Sequence, residues 1–320
     1  MTLRFLAMPL AFTLLASGQG RSTATPPQQP PAGQQPVFRE SVDVVQMDVI
    51  VRDDKNRFVP GLKAADFAVF EDGVRQELSI FNHEDIPISL VLMIDTSASM
   101  DEKLPTARAA AIRFVGTLRP QDNAQVMQFN DRTTILQDFV ADHDALDSAI
   151  GRTEAAGPTA LHNALYVALK ELEKQKTQAL RRRAIVLLSD GEDTASLVSD
   201  DQVLDLARKT EINIYAISLR PRRMQDRNAV KFSQAAHLLT ALTQDTGGQV
   251  HFPNSLSELD AVYDRIAEEL RTQYSLGYVS NNGRRDGKWR RIVVRIPARE
   301  DIQVRHKLGY FAVGTTTSSR

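Results

Sequence analysis

Two apolar runs that each end in an acid constrain this chain most. Leu90-Val91-Leu92-Met93-Ile94 leads into Asp95-Thr96-Ser97-Ala98-Ser99, and Ile185-Val186-Leu187-Leu188 leads into Ser189-Asp190-Gly191. Runs with no polar position fit strands covered on both faces, as in a largely parallel sheet wrapped by helices. After the first run an acid and two hydroxyls stand at every second position. A tight loop that gathers them offers hard oxygens to a hard cation such as Mg²⁺, which keeps octahedral geometry and several waters. One loop cannot surround an ion, so other strand ends must contribute. The candidates are Thr159, in Gly157-Pro158-Thr159 ahead of a helical stripe, and Asp190. Helix capping competes for such residues, because Asp and Ser oxygens accept from the first helical N–H groups.

Residues 86–270 alternate buried strands with amphipathic helices. Segments 125–129 and 212–217 fit as further strands, and Leu161, Leu165, Leu169 and Leu172 mark one helix face, with Leu256, Leu259, Val262, Tyr263, Ile266 and Leu270 another. Both stripes have the period of core-facing helices. The flanks read as β structure. Residues 42–51 alternate apolar and polar, and 67–70 and 76–81 are short strands joined by the turn signal Glu71-Asp72-Gly73. Three more strands are expected in 273–279, 289–296 and 304–311. Neither flank, 38–85 nor 271–320, has enough strands to stand alone. The expected architecture is therefore an α/β domain with a doubly wound, mostly parallel sheet, inserted into one β domain built from both flanks.

The N-terminus carries Arg4 and an apolar run from Phe5 to Ala16 that ends in Ser17 and Gly18. It is too short for a comfortable membrane span and suits a signal peptide over 1–20, with an uncleaved N-terminal anchor as the alternative. Residues 21–37 are rich in Pro and Gln and read as an extended spacer. The chain has no cysteine, so an exported protein of this kind relies on its apolar core and carries no lipid on a cysteine. No other segment is apolar and long enough to span a bilayer, and the signal peptide makes a secreted, periplasmic or cell-envelope location the expectation. The formal net charge of −1 gives no overall field toward nucleic acid. The clusters Arg181-Arg182-Arg183, Arg220-Pro221-Arg222-Arg223 and Arg290-Arg291 lack a recognition motif and suit strand edges and loops.

Asp95, Ser97, Ser99, Thr159 and Asp190 stand in the order Asp-x-Ser-x-Ser, Thr, Asp, and the set resembles the metal-ion-dependent adhesion site of von Willebrand factor type A domains. Pro158 departs from that pattern, standing where the family commonly has a second Gly. The flanks, with Asp66-Phe67, Phe70-Glu71-Asp72-Gly73, Gln273-Tyr274, Gly277-Tyr278 and Gly309-Tyr310-Phe311, are similar to exported bacterial von Willebrand factor A-related proteins. The resemblance implies that Ser97, Ser99 and Thr159 contact the ion directly or through water. It implies too that Asp95 and Asp190 tune its charge, and that a coordination position left open accepts an Asp or Glu carboxylate of a partner protein. The expected function is divalent-cation-dependent adhesion or assembly, with Mg²⁺ as the ion and Mn²⁺ or Ca²⁺ as alternatives.

The alternative is a hydrolase that uses the same ion as a Lewis acid. It needs a nucleophile with a base, and the six histidines are scattered. His162 alone stands about one helical turn from Thr159. Without a nucleophile-base pair a non-enzyme is expected. Asp101 and Glu102 read as acids capping the next helix, and Glu192 and Asp193 as solvated surface acids.

Overall fold

The computed structural model describes residues 44–83, 86–176, 181–191, 193–219, 234–299 and 301–314. The expected leader (1–20) and spacer (21–37), residues 38–43, Glu192 and the cluster at 220–223 lie outside the described residues. Strands β1 (Val44–Asp53), β2 (Ala68–Glu71), β3 (Val74–Gln76) and β4 (Leu78–Asn82) come first. Then follow β5 (Ile88–Asp95), α1 (Leu104–Val115), β6 (Asn123–Phe129), β7 (Thr133–Val140), α2 (His143–Gly151), α3 (Leu161–Lys174) and β8 (Arg182–Ser189). The α/β part ends with α4 (Asp200–Lys209), β9 (Ile212–Ser218), α5 (Gln234–Thr246), β10 (Val250–His251) and α6 (Leu259–Thr272). Strands β11 (Tyr274–Val279), β12 (Trp289–Arg295), β13 (Ile302–Arg305) and β14 (Gly309–Phe311) close the described chain.

The central sheet has the order β10-β9-β8-β5-β6-β7. Its pairs are parallel except β6 with β7, which is antiparallel. Every residue of β5 and β8 is buried; the apolar runs 90–94 and 184–188 require this, and Arg182 and Arg183, expected at a strand edge or loop, instead begin the central strand β8. Side-chain alternation splits the core in two. Leu90, Leu92 and Ile94 join Val186 and Leu188 under α1, α2 and α6. Val91 and Met93 join Ile185 and Leu187 under α3, α4 and α5. The doubly wound sheet is thus as the sequence predicts. The chain runs outward from β5 through β6 to β7, then returns to β8 and runs the other way. The switch lies between β5 and β8, and ligands of open α/β sheets bind beyond the carboxyl ends of strands at such a point.

Two antiparallel sheets, β13-β1-β11-β4 and β14-β12-β2-β3, are woven from both flanks. They enclose one apolar core that includes Met47, Val49, Val69, Leu276 and Val294. The flanking motifs meet inside it. Tyr278 and Tyr310 donate their hydroxyls to Glu71 Oε2 at 2.9 and 3.0 Å, and Ser280 donates to Glu71 Oε1 at 2.7 Å.

Two expected strands divide. The hairpin joins β2 to β3, with Asp72 at φ 48° and Gly73 at φ 85° at its tip, a pair of left-handed residues that matches strand twist. β4 then crosses to the other sheet. The expected strand 304–311 likewise breaks into β13 and β14, which pair with different sheets. Among the described residues no helix is long and apolar enough to cross a membrane.

Candidate metal centre

The five predicted residues all reach one rim, at the carboxyl ends of β5 and β8, which are hydrogen-bonded neighbours with Ile94 opposite Leu188. Asp95 closes β5 and is fully buried. Its Oδ1 accepts the Ser97 backbone N–H at 2.8 Å, which folds the loop back on the carboxylate. Ser97 Oγ lies 3.2 Å from Ser99 Oγ, and Ser99 Oγ donates to Asp190 Oδ1 at 2.8 Å. Asp190 follows β8 and is buried, whereas Ser99 is exposed on the rim.

Thr159 arrives from the loop between α2 and α3. That loop is laced to the first by Ala156 N–H to Thr96 O at 2.8 Å and Ala98 N–H to Gly157 O at 2.9 Å, with Gly157 at φ 71°. A Cβ at Gly191 would lie 3.0 Å from Thr159 Oγ1 and 3.5 Å from Asp95 Oδ2. The two oxygens therefore face one small space that only a glycine leaves open. No direct hydrogen bond between the Thr159 side chain and the other four residues is found among the described contacts.

The capping alternative fails on geometry. Ser97 precedes a short 3₁₀ turn, Ala98–Met100, and makes no side-chain cap bond to it. The residue at the cap position of α3 is Ala160, and the helix's free N–H groups at His162 and Asn163 are taken by Asp193 Oδ1 (3.2 Å) and Ser196 Oγ (3.0 Å). The hydroxyl of Thr159 is left for other use. The acids before α1 also differ from expectation: Asp101 and Glu102 lie in the preceding turn, Lys103 holds the cap position, and the first turn of α1 carries no acid. Asp193, expected as a solvated surface acid, instead ties the loop to α3. His162 faces the same loop, with Nδ1 3.1 Å from Val198 O and 3.8 Å from Asp193 Oδ2.

Two further residues belong to the rim and were not singled out by sequence. Ser189 Oγ donates to Asp95 Oδ2 at 2.5 Å and accepts Gly191 N–H at 3.2 Å. Lys103 Nζ forms an ion pair with Asp190 Oδ2 and donates to Ser99 O at 3.1 Å. For Ser189 the signal was its place beside Asp190 at the strand end. Lys103 carried no such signal, because its contact with Asp190 spans 87 residues of sequence.

The electrostatics point the same way. Burial pushes the Asp95 carboxyl above the usual carboxylate range and the charge of Asp190 adds to this, against the bonds from Ser189 and Ser97. Two carboxylates near one another in a buried place call for positive charge. The donor set, three hydroxyls and two carboxylates, is one of hard oxygens, and an ammonium already stands among them. These residues therefore fit a hard divalent cation. Among the described residues no group of three or more His, Cys, Asp or Glu is placed to hold a metal. A centre built here rests on hydroxyls.

The sequence profile of the von Willebrand factor type A domain matches residues 90–192. A UPF0353 protein of Nocardia farcinica is 26% identical over 232 residues, which cover 63% of this chain and 67% of that protein. An uncharacterized protein of Synechocystis is 34% identical over 110 residues, 33% of this chain and 26% of that one. Among solved structures, a von Willebrand factor type A protein from Catenulispora acidiphila superposes with a TM-score of 0.50 at 12% identity, covering 88% of this chain and 76% of its own. That likeness shows the fold.

Proposed function

We propose, from the match of residues 90–192 to the von Willebrand factor type A domain, that this chain is an exported adhesion or assembly module that holds a divalent cation on its rim and captures a carboxylate of a partner protein. The reading rests on one observation above all. Asp95, Ser97, Ser99, Thr159 and Asp190 converge from three separate loops on the switch point of the sheet, where Gly191 leaves room between Thr159 Oγ1 and Asp95 Oδ2.

When bound, the cation supplies an electrophilic position for a partner's Asp or Glu oxygen. Ser97, Ser99 and Thr159 would present neutral oxygens to it, and Asp95 and Asp190 would supply the charge that holds it at the rim. Asp95 is oriented by Ser97 N–H and Ser189, and Asp190 by Ser99, so both carboxylates are fixed before any ligand arrives. Mg²⁺ is our first choice of ion, with Mn²⁺ and Ca²⁺ as alternatives. Residues 1–20 as a leader and 21–37 as a spacer complete the proposal of export, with 38–85 and 271–320 framing a domain at 86–270. The hydrolase alternative gains no support from His162, whose ring engages Val198 O and Asp193.

Capture from an envelope extract tests the reading, with the immobilised full chain in Mg²⁺, in EDTA, as Thr159→Ala, and with extract whose carboxyls have been amidated. Retention of a partner is expected in the first condition and loss in the other three. Equal retention in EDTA, or after amidation, contradicts the proposal.

A further inference from the structure

We propose that Lys103 is a tethered counter-cation of the rim, whose ammonium must leave Asp190 before a divalent cation can bind, so that it sets the concentration at which the site fills. The inference rests on the reading of the rim as a cation site and adds to it a residue outside the five-residue motif.

Lys103 stands at the cap position of α1, one turn beyond Ser99, and its side chain returns over that loop. Its Nζ bonds Ser99 O and pairs with Asp190 Oδ2, so it sits on two of the five rim residues at once. The two partners differ in burial. The Asp190 side chain is 2% exposed and that of Lys103 is 33% exposed. The carboxylate thus depends on a nearby cation, whereas the lysine can rehydrate at little cost by swinging its stem outward. A divalent ion and an ammonium cannot share one carboxylate pair without like-charge repulsion. Tethering gives the ammonium a high effective concentration at the rim whatever the solution holds. If the ammonium occupies the rim about nine-tenths of the time, the apparent Kd of the metal is about tenfold weaker than that of the open site.

A merely stabilising ion pair predicts something else: its loss would lower the melting temperature and leave metal affinity unchanged or weaker. Mn²⁺ binding to the full chain, followed by the electron paramagnetic resonance signal of free Mn²⁺, separates the two. Lys103→Gln is expected to bind Mn²⁺ about tenfold more tightly than wild type, and Lys103→Arg, which keeps the charge, to stay much closer to it. Melting in EDTA checks that each variant is folded. Equal or weaker binding by a folded Lys103→Gln overturns the role of Lys103 while leaving the cation site in place. Absence of Mn²⁺ binding in both wild type and Lys103→Gln overturns the cation site itself, and the proposal with it.

Discussion

The two ends of the central sheet handle polar groups in opposite ways. At the amino end of the strands, where the flanking sheets dock, polar groups are tied across the junction. Arg182 donates to Leu270 O at 3.1 Å and Gln273 O at 2.6 Å, and Asn213 donates to Asp48 at 3.1 Å. Glu269, with a side chain of 0% exposure, is held by Arg52 at 2.6 Å and by Arg305. At the carboxyl end the polar groups bond to neighbours on their own rim: Asp190 pairs with Lys103 and accepts from Ser99, and Asp95 is held by the Ser97 N–H and the Ser189 hydroxyl. One end spends its charge on holding the molecule together; the other keeps charge available for a ligand. Burial alone does not separate these roles, since Glu269 and Asp95 are equally buried. The partners do.

This contrast can be broken from the amino end first. Glu269→Ala leaves Arg52 and Arg305 facing each other without their carboxylate, and loss of one partner of a buried ion pair costs about 3–5 kcal/mol. A denaturant melt is expected to show that loss, with Mn²⁺ affinity of the folded fraction unchanged. A stability cost below ~1 kcal/mol would mean that the docking end is not held as described.

A pH series sharpens the comparison at the edge of the sheet, where His251 of β10 lies beside Ile217 near the carboxyl end of β9. Burial, with Arg265, Arg305 and Arg52 nearby, holds His251 down to about 4 from 6.5. Its Nε2 is buried without a hydrogen-bond partner among the described residues. The folded protein therefore keeps the ring neutral where the unfolded chain protonates it, so stability is lost as pH falls from about 6.5 toward about 4. The loss is on the order of 3 kcal/mol, and His251→Phe is expected to flatten that part of the profile. An unchanged slope in the variant would place the acid sensitivity elsewhere.

The rim was legible because burial and chemistry change abruptly there. Leu90 to Ile94 can be covered on both sides, and Asp95 cannot be except at a strand end, so the acid marks the edge of the sheet. The same logic located Asp190, and Thr159 followed from its place before an apolar helix stripe. Strand β7 was harder: its pattern mixes half-buried and exposed positions along an antiparallel edge, which blurs a period of two. The destinations of β4 and of the divided 304–311 segment were illegible, because local pattern reports burial and says nothing of which sheet a strand joins. Lys103 was missed for a related reason. A long flexible side chain reaches Asp190 across 87 residues of sequence, and spacing does not encode reach.

The most direct measurement of the account is thermal stability in EDTA and across a Mg²⁺ and Mn²⁺ series, for wild type, Asp95→Ala and Thr159→Ala. At a hundred times the Kd, binding to the folded state stabilises by about 2.7 kcal/mol, so wild type is expected to rise in melting temperature with cation. Both variants are expected to fold in EDTA and to show no rise, because Asp95 ends a strand and Thr159 is a small hydroxyl on a loop. If Asp95→Ala rises as much as wild type, the five residues do not form the site, and the cation reading of the rim is wrong.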